Sequence, residues 1–386
     1  MIVAHHAPLT YVLSNTFDKA FLRATSFFWI GVDLFFVLSG FLITRILLET
    51  RGSKNYLRSF YGRRIVRIFP LYYVFLSVLY FVLPALGVTL SPDLIHAQPW
   101  QWLYLPNIYI AFMKWPGQNI DHLWTLGIEE QFYLVWPMIV LLTKERYLKR
   151  GIIFLLLLLP FVRAFCIGIG MSNRFIYTFT LCHMDGLLLG ALISIAQRSG
   201  LIESLTSGPR SKLIQCMDWM VAGLLFALVI VYYLFLRNDQ FIFNFLTWPP
   251  ILECIGITFI SLPLAYIVMR AVSPQPNTLQ RVMSQKYLRF AGKYSYALYM
   301  LHAPIVYWAG LNFPVPSFLH NLPPAWSFLH SLYIIVIEFT LSIIAAIISW
   351  NILEKHFLKL KKYFPYKSDN PAPNGKTPVT LSAETS

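Results

Sequence analysis

The stretch Tyr61-Gly-Arg-Arg-Ile-Val-Arg-Ile-Phe-Pro-Leu-Tyr-Tyr73 sets three arginines at the mouth of a long apolar run. Arg64 and Arg67 stand three residues apart, so on a helix they share a face. Guanidinium groups fixed at a membrane surface suit a ligand that carries several phosphates, because each binds bidentately. Arg63, Arg64 and Arg67 are therefore the candidate phosphate-binding residues.

Outward from this stretch the chain reads as membrane. It has 386 residues, 57% of them hydrophobic and 12% charged, with a mean hydropathy of +0.59. A soluble domain carries about twice that charged share. Runs long enough to cross roughly 30 Å of hydrocarbon recur near 28–48, 70–90, 127–143, 151–170, 176–196, 215–236, 245–270, 294–312 and 329–353. Segment 1–13 reads as part of a further span whose first half is missing. Lipid-exposed backbone must satisfy its own hydrogen bonds. The expected fold is thus an all-α, polytopic transmembrane bundle of about ten spans with the first one truncated. Residues 1–355 form the membrane domain and 356–386 a basic cytoplasmic tail, with the Pro-rich, polar 364–386 expected to be disordered.

Charge patterning supports this topology. The loops 49–69, 144–150, 197–214 and 270–293 and the C-terminal tail hold most of the 31 Lys and Arg. The alternate loops hold only Lys19, Arg23, Lys114, Arg174 and Arg237. Such a bias places the basic loops and the C-terminus in the cytoplasm, so the net charge of +14 mostly reflects topology. Splitting the cations among short segments argues against a nucleic-acid partner. Cys166, Cys182, Cys216 and Cys254 lie in or beside apolar helices and form no CxxC pair, so neither a metal site nor a disulfide framework is indicated.

Polar groups inside apolar runs carry the chemistry. Asp33 lies in Phe28–Ile43, where a carboxylate costs free energy unless partnered or used; the adjacent Ser39-Gly40 suits close helix packing. Glu129 and Glu130 open the span that follows His122-Leu-Trp124, and Tyr133 stands one turn further on. Their place in the first turn lets the helix dipole explain one of them, whereas two adjacent carboxylates also suit orienting a histidine or accepting a hydrogen bond from a hydroxyl. His5 and His6 form the candidate acid–base pair, since neutral imidazole removes a hydroxyl proton near neutral pH; a helix–helix hydrogen bond is the competing reading. Asp185 and His302 either pair between helices or reach the site, and Arg163 neutralises one of the acids in a pairing left open. The aromatic segment 91–122 suits either the membrane interface or stacking on a sugar.

Five runs together resemble the acyltransferase-3 family of bacterial integral membrane proteins: FFWIGVDLFFVLSGFLIT, YGRRIVRIFPLYY, HLWTLGIEEQFYLVWP, CHMDGLLLGALI and GKYSYALYMLHAPI, in the family's order. The resemblance implies transfer of an acyl group, commonly acetyl, from acyl-CoA to a hydroxyl of a surface carbohydrate such as O-antigen or exopolysaccharide. It implies that Arg64 and Arg67 hold the acyl-CoA phosphates and that His5 or His6 matches a first-span histidine. The family's arginine, about eleven residues before that histidine, would precede Met1. Asp33, His122, Trp124, Tyr133, Asp185 and His302 are expected to support the site. The setting is the bacterial cytoplasmic membrane, with membrane lipids and a carbohydrate or glycolipid acceptor as partners and no metal. The rival expectation is a transporter or flippase in which Asp33, Asp185 and His302 line a polar path.

Overall fold

The computed structural model describes residues 30–117, 120–207, 212, 214–221, 223, 250–313, 316–317 and 328–366. Every regular element among them is helical. Among the described residues six helices are long and apolar enough to cross a membrane: Gly31–Thr50, Tyr56–Ala85, Asp121–Leu142, Glu145–Gly168, Pro250–Ala271 and Leu332–Tyr363. The predicted half-span 1–13, with His5 and His6, and most of 215–236 lie outside the described residues.

In chain order the helices that build the site are α1 (Gly31–Thr50), α2 (Tyr56–Ser77), α3 (Pro92–Trp102), α4 (Pro106–Phe112), α5 (Trp124–Leu142), α6 (Glu145–Gly168), α7 (Asn173–Thr178), α8 (Asp185–Arg198), α9 (Pro250–Ala271), α10 (Ser295–Asn312) and α11 (Phe328–Ser349). The closest crossing joins α1 to α8. A Cβ on Gly190 would meet Val37 O and Phe41 N of α1, and one on Gly40 would meet the Leu187 carbonyl. Small residues let the two backbones touch, as they do where membrane helices associate by packing rather than by hydrophobic drive. The packing role read for Gly40 is what the structure shows.

The basic stretch is helix, not loop. The rod Tyr56–Ala85 has 30 residues, about 45 Å at 1.5 Å per residue, against about 30 Å of hydrocarbon. Arg63, Arg64 and Arg67 fall within its first four turns. Pro70 removes the amide that would bond the Val66 carbonyl. A π turn at Val78–Val82 follows, just before Pro84.

Two further expectations change. Segment 91–122 is largely folded, with Pro92 and Pro106 each opening a short helix and Ser91 Oγ capping Leu94 N–H at 3.2 Å. The predicted span 176–196 is broken into α7, a 3-10 turn at Thr180–Cys182 and α8. Irregular backbone at this depth must be satisfied by protein, and it is. Arg163 Nη1 donates to Cys182 O at 2.9 Å, and Asn107 Nδ2 donates to Thr178 O at 3.3 Å and Thr180 Oγ1 at 3.0 Å.

The basic end of the bundle is tied by arginines on helix C-termini, where cations are favoured. Arg51 Nη2 donates to Leu141 O and Thr143 O at 2.9 and 2.8 Å, and Arg198 Nη1 to Leu48 O at 3.2 Å. Tyr61 OH pins α2 to α5 through Leu134 O at 2.7 Å, one turn before Pro137.

Candidate active site

The acid pair and one clamp arginine meet where α1, α2 and α5 converge. A 3-10 turn at Asp121–Leu123 precedes α5, so Glu129 and Glu130 stand in its second turn rather than its first. The dipole account of the pair therefore fails, because the effect fades beyond the first turn. Adjacent helical residues point about 100° apart. Glu129 faces α1 and is buried, with Ser39 and Tyr133 beside it. Glu130 lies within electrostatic reach of Arg64 and of Tyr72, Tyr73 and Tyr104. One oxygen of each acid, Oε1, has no hydrogen-bond partner among the described residues. Such buried acceptors are rare and costly unless used.

Tyr133 links the parts. Its hydroxyl donates to Ser39 Oγ at 3.0 Å, and the Arg64 guanidinium lies 5.1 Å from its ring centroid. Arg64 and Arg67 make no hydrogen bond to another protein group among the described residues. Arg67 is solvent-accessible while facing Arg64, Tyr133, Glu354 and Tyr296. Arg63 differs: its Nε donates to Phe364 O at 2.7 Å.

Tyr104, read from sequence only as one of the aromatics of 91–122, stands at the same place. It adopts φ +56°, a left-handed backbone that bulky residues rarely occupy outside strained sites. Its ring stacks on Tyr72 with centroids 4.0 Å apart. Its hydroxyl is buried without a hydrogen-bond partner among the described residues. Burial pushes that hydroxyl well above the ordinary tyrosine value, so it remains a proton donor near Glu130.

Two histidine clusters flank this centre. His183, quoted within CHMDG but not singled out by sequence reasoning, holds Asp33: Nε2 lies 3.0 Å from Oδ1. Its Nδ1 lies 2.5 Å from Tyr177 O and must donate there, since a carbonyl only accepts. Both ring nitrogens are therefore committed, and His183 positions Asp33 rather than serving as a free base. Asp33 Oδ2 keeps no partner among the described residues. Trp124 packs this pair, its ring 5.3 Å from His183 and 4.8 Å from Tyr177.

The other cluster joins α5 to α10. The rings of His122 and His302 are 5.0 Å apart. Tyr299 OH donates to His122 O at 2.6 Å, and His302 Nδ1 meets Tyr299 O at 2.7 Å. Tyr299 also contacts Thr125 and lies within electrostatic reach of Glu129. The structure thus brings His122, His302 and Glu129 around one tyrosine.

Asp185 belongs elsewhere. It is fully buried and pairs with Arg163 through Oδ2–Nη1 at 2.8 Å and Oδ1–Nη2 at 3.3 Å, with Thr258 Oγ1 at 2.5 Å. Arg163 spends its remaining donors on Cys254 O at 2.6 Å, Cys182 O at 2.9 Å and Thr258 Oγ1 at 2.6 Å. The acid that Arg163 neutralises is therefore Asp185, and the pair staples α6, α8 and α9. Among the described residues no group of three His, Cys, Asp or Glu side chains is placed to hold a metal ion.

A family model describing an acyltransferase domain matches residues 1–350. Among curated proteins the chain is similar to O-acetyltransferase OatA of Staphylococcus aureus (strain NCTC 8325 / PS 47), at 28% identity over 341 residues, which is 84% of this chain and 52% of the relative. It is similar also to a putative O-acetyltransferase, SACOL0978, of Staphylococcus aureus (strain COL), at 28% identity over 344 residues, 86% of this chain and 53% of the relative. The chain spans about half the length of these relatives. No solved structure matches.

Proposed function

This chain belongs to the acyltransferase-3 family, and on that premise we propose that it is an integral membrane O-acyltransferase taking an acyl group, acetyl first of all, from acyl-CoA to a hydroxyl of a surface carbohydrate. The observation that carries the reading is the meeting of Arg64, whose side-chain donors have no hydrogen-bond partner among the described residues, with Glu129 and Glu130, whose Oε1 oxygens likewise have none there. A cation facing the basic mouth suits a phosphorylated donor. Buried acceptors behind it suit the proton of an arriving alcohol.

In this mechanism the CoA phosphates rest on Arg64 and Arg67, and the thioester reaches inward past the Tyr133 ring. His5 or His6 takes the hydroxyl proton, with Glu129 or Glu130 orienting the imidazole or the alcohol. The alkoxide oxygen attacks the thioester carbon; the C–S bond breaks, and the CoA thiolate leaves and recovers the proton. His122, His302, Tyr104 and the Asp33–His183 pair shape the surrounding wall. The setting is the bacterial cytoplasmic membrane, with about ten spans and the C-terminus in the cytoplasm.

The transporter reading loses a member of its polar path, because Arg163 and Thr258 engage both Asp185 oxygens. Incubating membranes that hold the protein with acetyl-labelled acetyl-CoA and a candidate polysaccharide tests the proposal. Label should move into an alkali-labile ester on the carbohydrate. Solute uptake without any loss of acetyl-CoA would overturn it.

A further inference from the structure

The segment after α11 turns back onto the basic mouth. A π turn at Trp350–Glu354 sets Glu354 near Arg67, and residues 355–363 run on as helical turns. The chain is then fastened to the first turns of α2. Ser59 Oγ donates to Pro365 O at 2.8 Å, and Asn55 Nδ2 bonds the same carbonyl. Arg63 Nε holds Phe364 O at 2.7 Å, and the Arg63 guanidinium lies 5.1 Å from the Tyr366 ring centroid. The Phe364 ring fills the space a Cβ on Gly62 would take. Several independent contacts therefore fix this segment, and they fix it across the arginines.

The fastening delivers a fourth cation. Lys361 is half-buried, and the charged groups it feels are Arg67, Arg64 and Arg63, with no acid among them. Like charges gathered in a partly desolvated place repel one another, and a bound anion relieves that repulsion. Arg64 has Glu129 and Glu130 nearby and Arg67 has Glu354, whereas the Lys361 side chain makes no ion pair or hydrogen bond among the described residues. Arg63 keeps both Nη groups beyond its bond to Phe364 O.

We propose that Lys361 is a phosphate ligand of the donor site, and that residues 359–366, folded back over α2, form the second wall of that site opposite Arg63 and Arg67. The inference rests on the acyl-CoA reading and adds to it a residue far from the arginine stretch in sequence. Arginines on α2 alone present one face to the ligand. Lysine is a compact charge on a flexible stem, suited to closing on a phosphate already held by planar guanidinium groups.

The test is direct binding of acetyl-CoA, and separately of acetyl-pantetheine, which lacks the nucleotide phosphates, to the purified full chain in lipid nanodiscs. Lys361→Gln should raise the Kd for acetyl-CoA about tenfold, the worth of one charge-assisted hydrogen bond, and leave acetyl-pantetheine unchanged. Lys361→Arg should stay near wild type. A Ser59→Ala/Asn55→Ala variant, which loosens the Pro365 anchor but keeps all four cations, should also weaken acetyl-CoA binding. Wild-type binding with an unchanged Kd in Lys361→Gln would overturn this inference alone. A wild-type chain that does not bind acetyl-CoA would overturn the donor reading and this one with it.

Discussion

Replacing Asp185 by asparagine separates a structural acid from a catalytic one. The carboxylate is fully buried and meets Arg163 at 2.8 and 3.3 Å, with Thr258 as a third partner. Asparagine keeps the shape but strands a buried guanidinium without its counter-charge. Breaking a buried pair from one side costs about 3–5 kcal/mol, which is about 10²–10³-fold or more in the folded-to-unfolded ratio. Arg163 keeps its bonds to Cys254 O and Cys182 O, which places the expected loss toward the lower bound. The assay is unfolding in mixed micelles followed by tryptophan fluorescence, with turnover per folded molecule measured in parallel. The double variant Arg163→Met/Asp185→Leu removes both charges and should recover most of the lost stability. Donor KM for the folded fraction of Asp185→Asn should match wild type. A cost below about 0.5 kcal/mol, the scale of an exposed pair, or a double variant no better than the single, would refute the stapling argument.

Other substitutions probe the remaining parts. Gly190→Leu forces side-chain atoms into the backbone of α1 and should cost at least the 1–3 kcal/mol of an overpacked core, read as loss of folded protein in the same assay. Glu129→Gln and Glu130→Gln should each slow acetyl transfer, by about 10²-fold where the acid handles the proton, with the fold intact by circular dichroism. Tyr104→Phe deletes a buried hydroxyl that has no partner among the described residues, so stability should hold or rise while transfer falls; a loss of stability would show that the hydroxyl is bonded in the folded protein.

The sequence discloses the helical membrane bundle because burying backbone in lipid allows so few solutions, and apolar length plus loop charge report them. It also discloses which polar residues are expensive: Asp33, Glu129, Asp185 and His302 all prove buried. It does not disclose partners. Arg163 and Asp185 are separated by a helix end, a turn and a second helix, and only packing joins them. Helix boundaries mislead where charge enters a span. The arginines of 63–67 look like loop by composition, yet α2 begins at Tyr56 and carries them in its first four turns. Likewise Glu129 moves from first to second turn once the 3-10 turn at Asp121–Leu123 is counted. Tyr104 was legible only as one of the aromatics of 91–122, because left-handed backbone at a tyrosine leaves no pattern. His183 was visible as a residue but not as a partner, since its role depends on Asp33, which lies 150 positions away.

A double-mutant cycle on acetyl transfer, with Arg64→Gln, Glu130→Gln and the combination, asks most directly whether the cationic mouth and the buried acids form one catalytic centre. If they act as a unit, the combined variant should be no slower than the slower single one, as groups sharing a single step behave. Losses that simply multiply would mean that the two act independently, and the account of one joined site would fail.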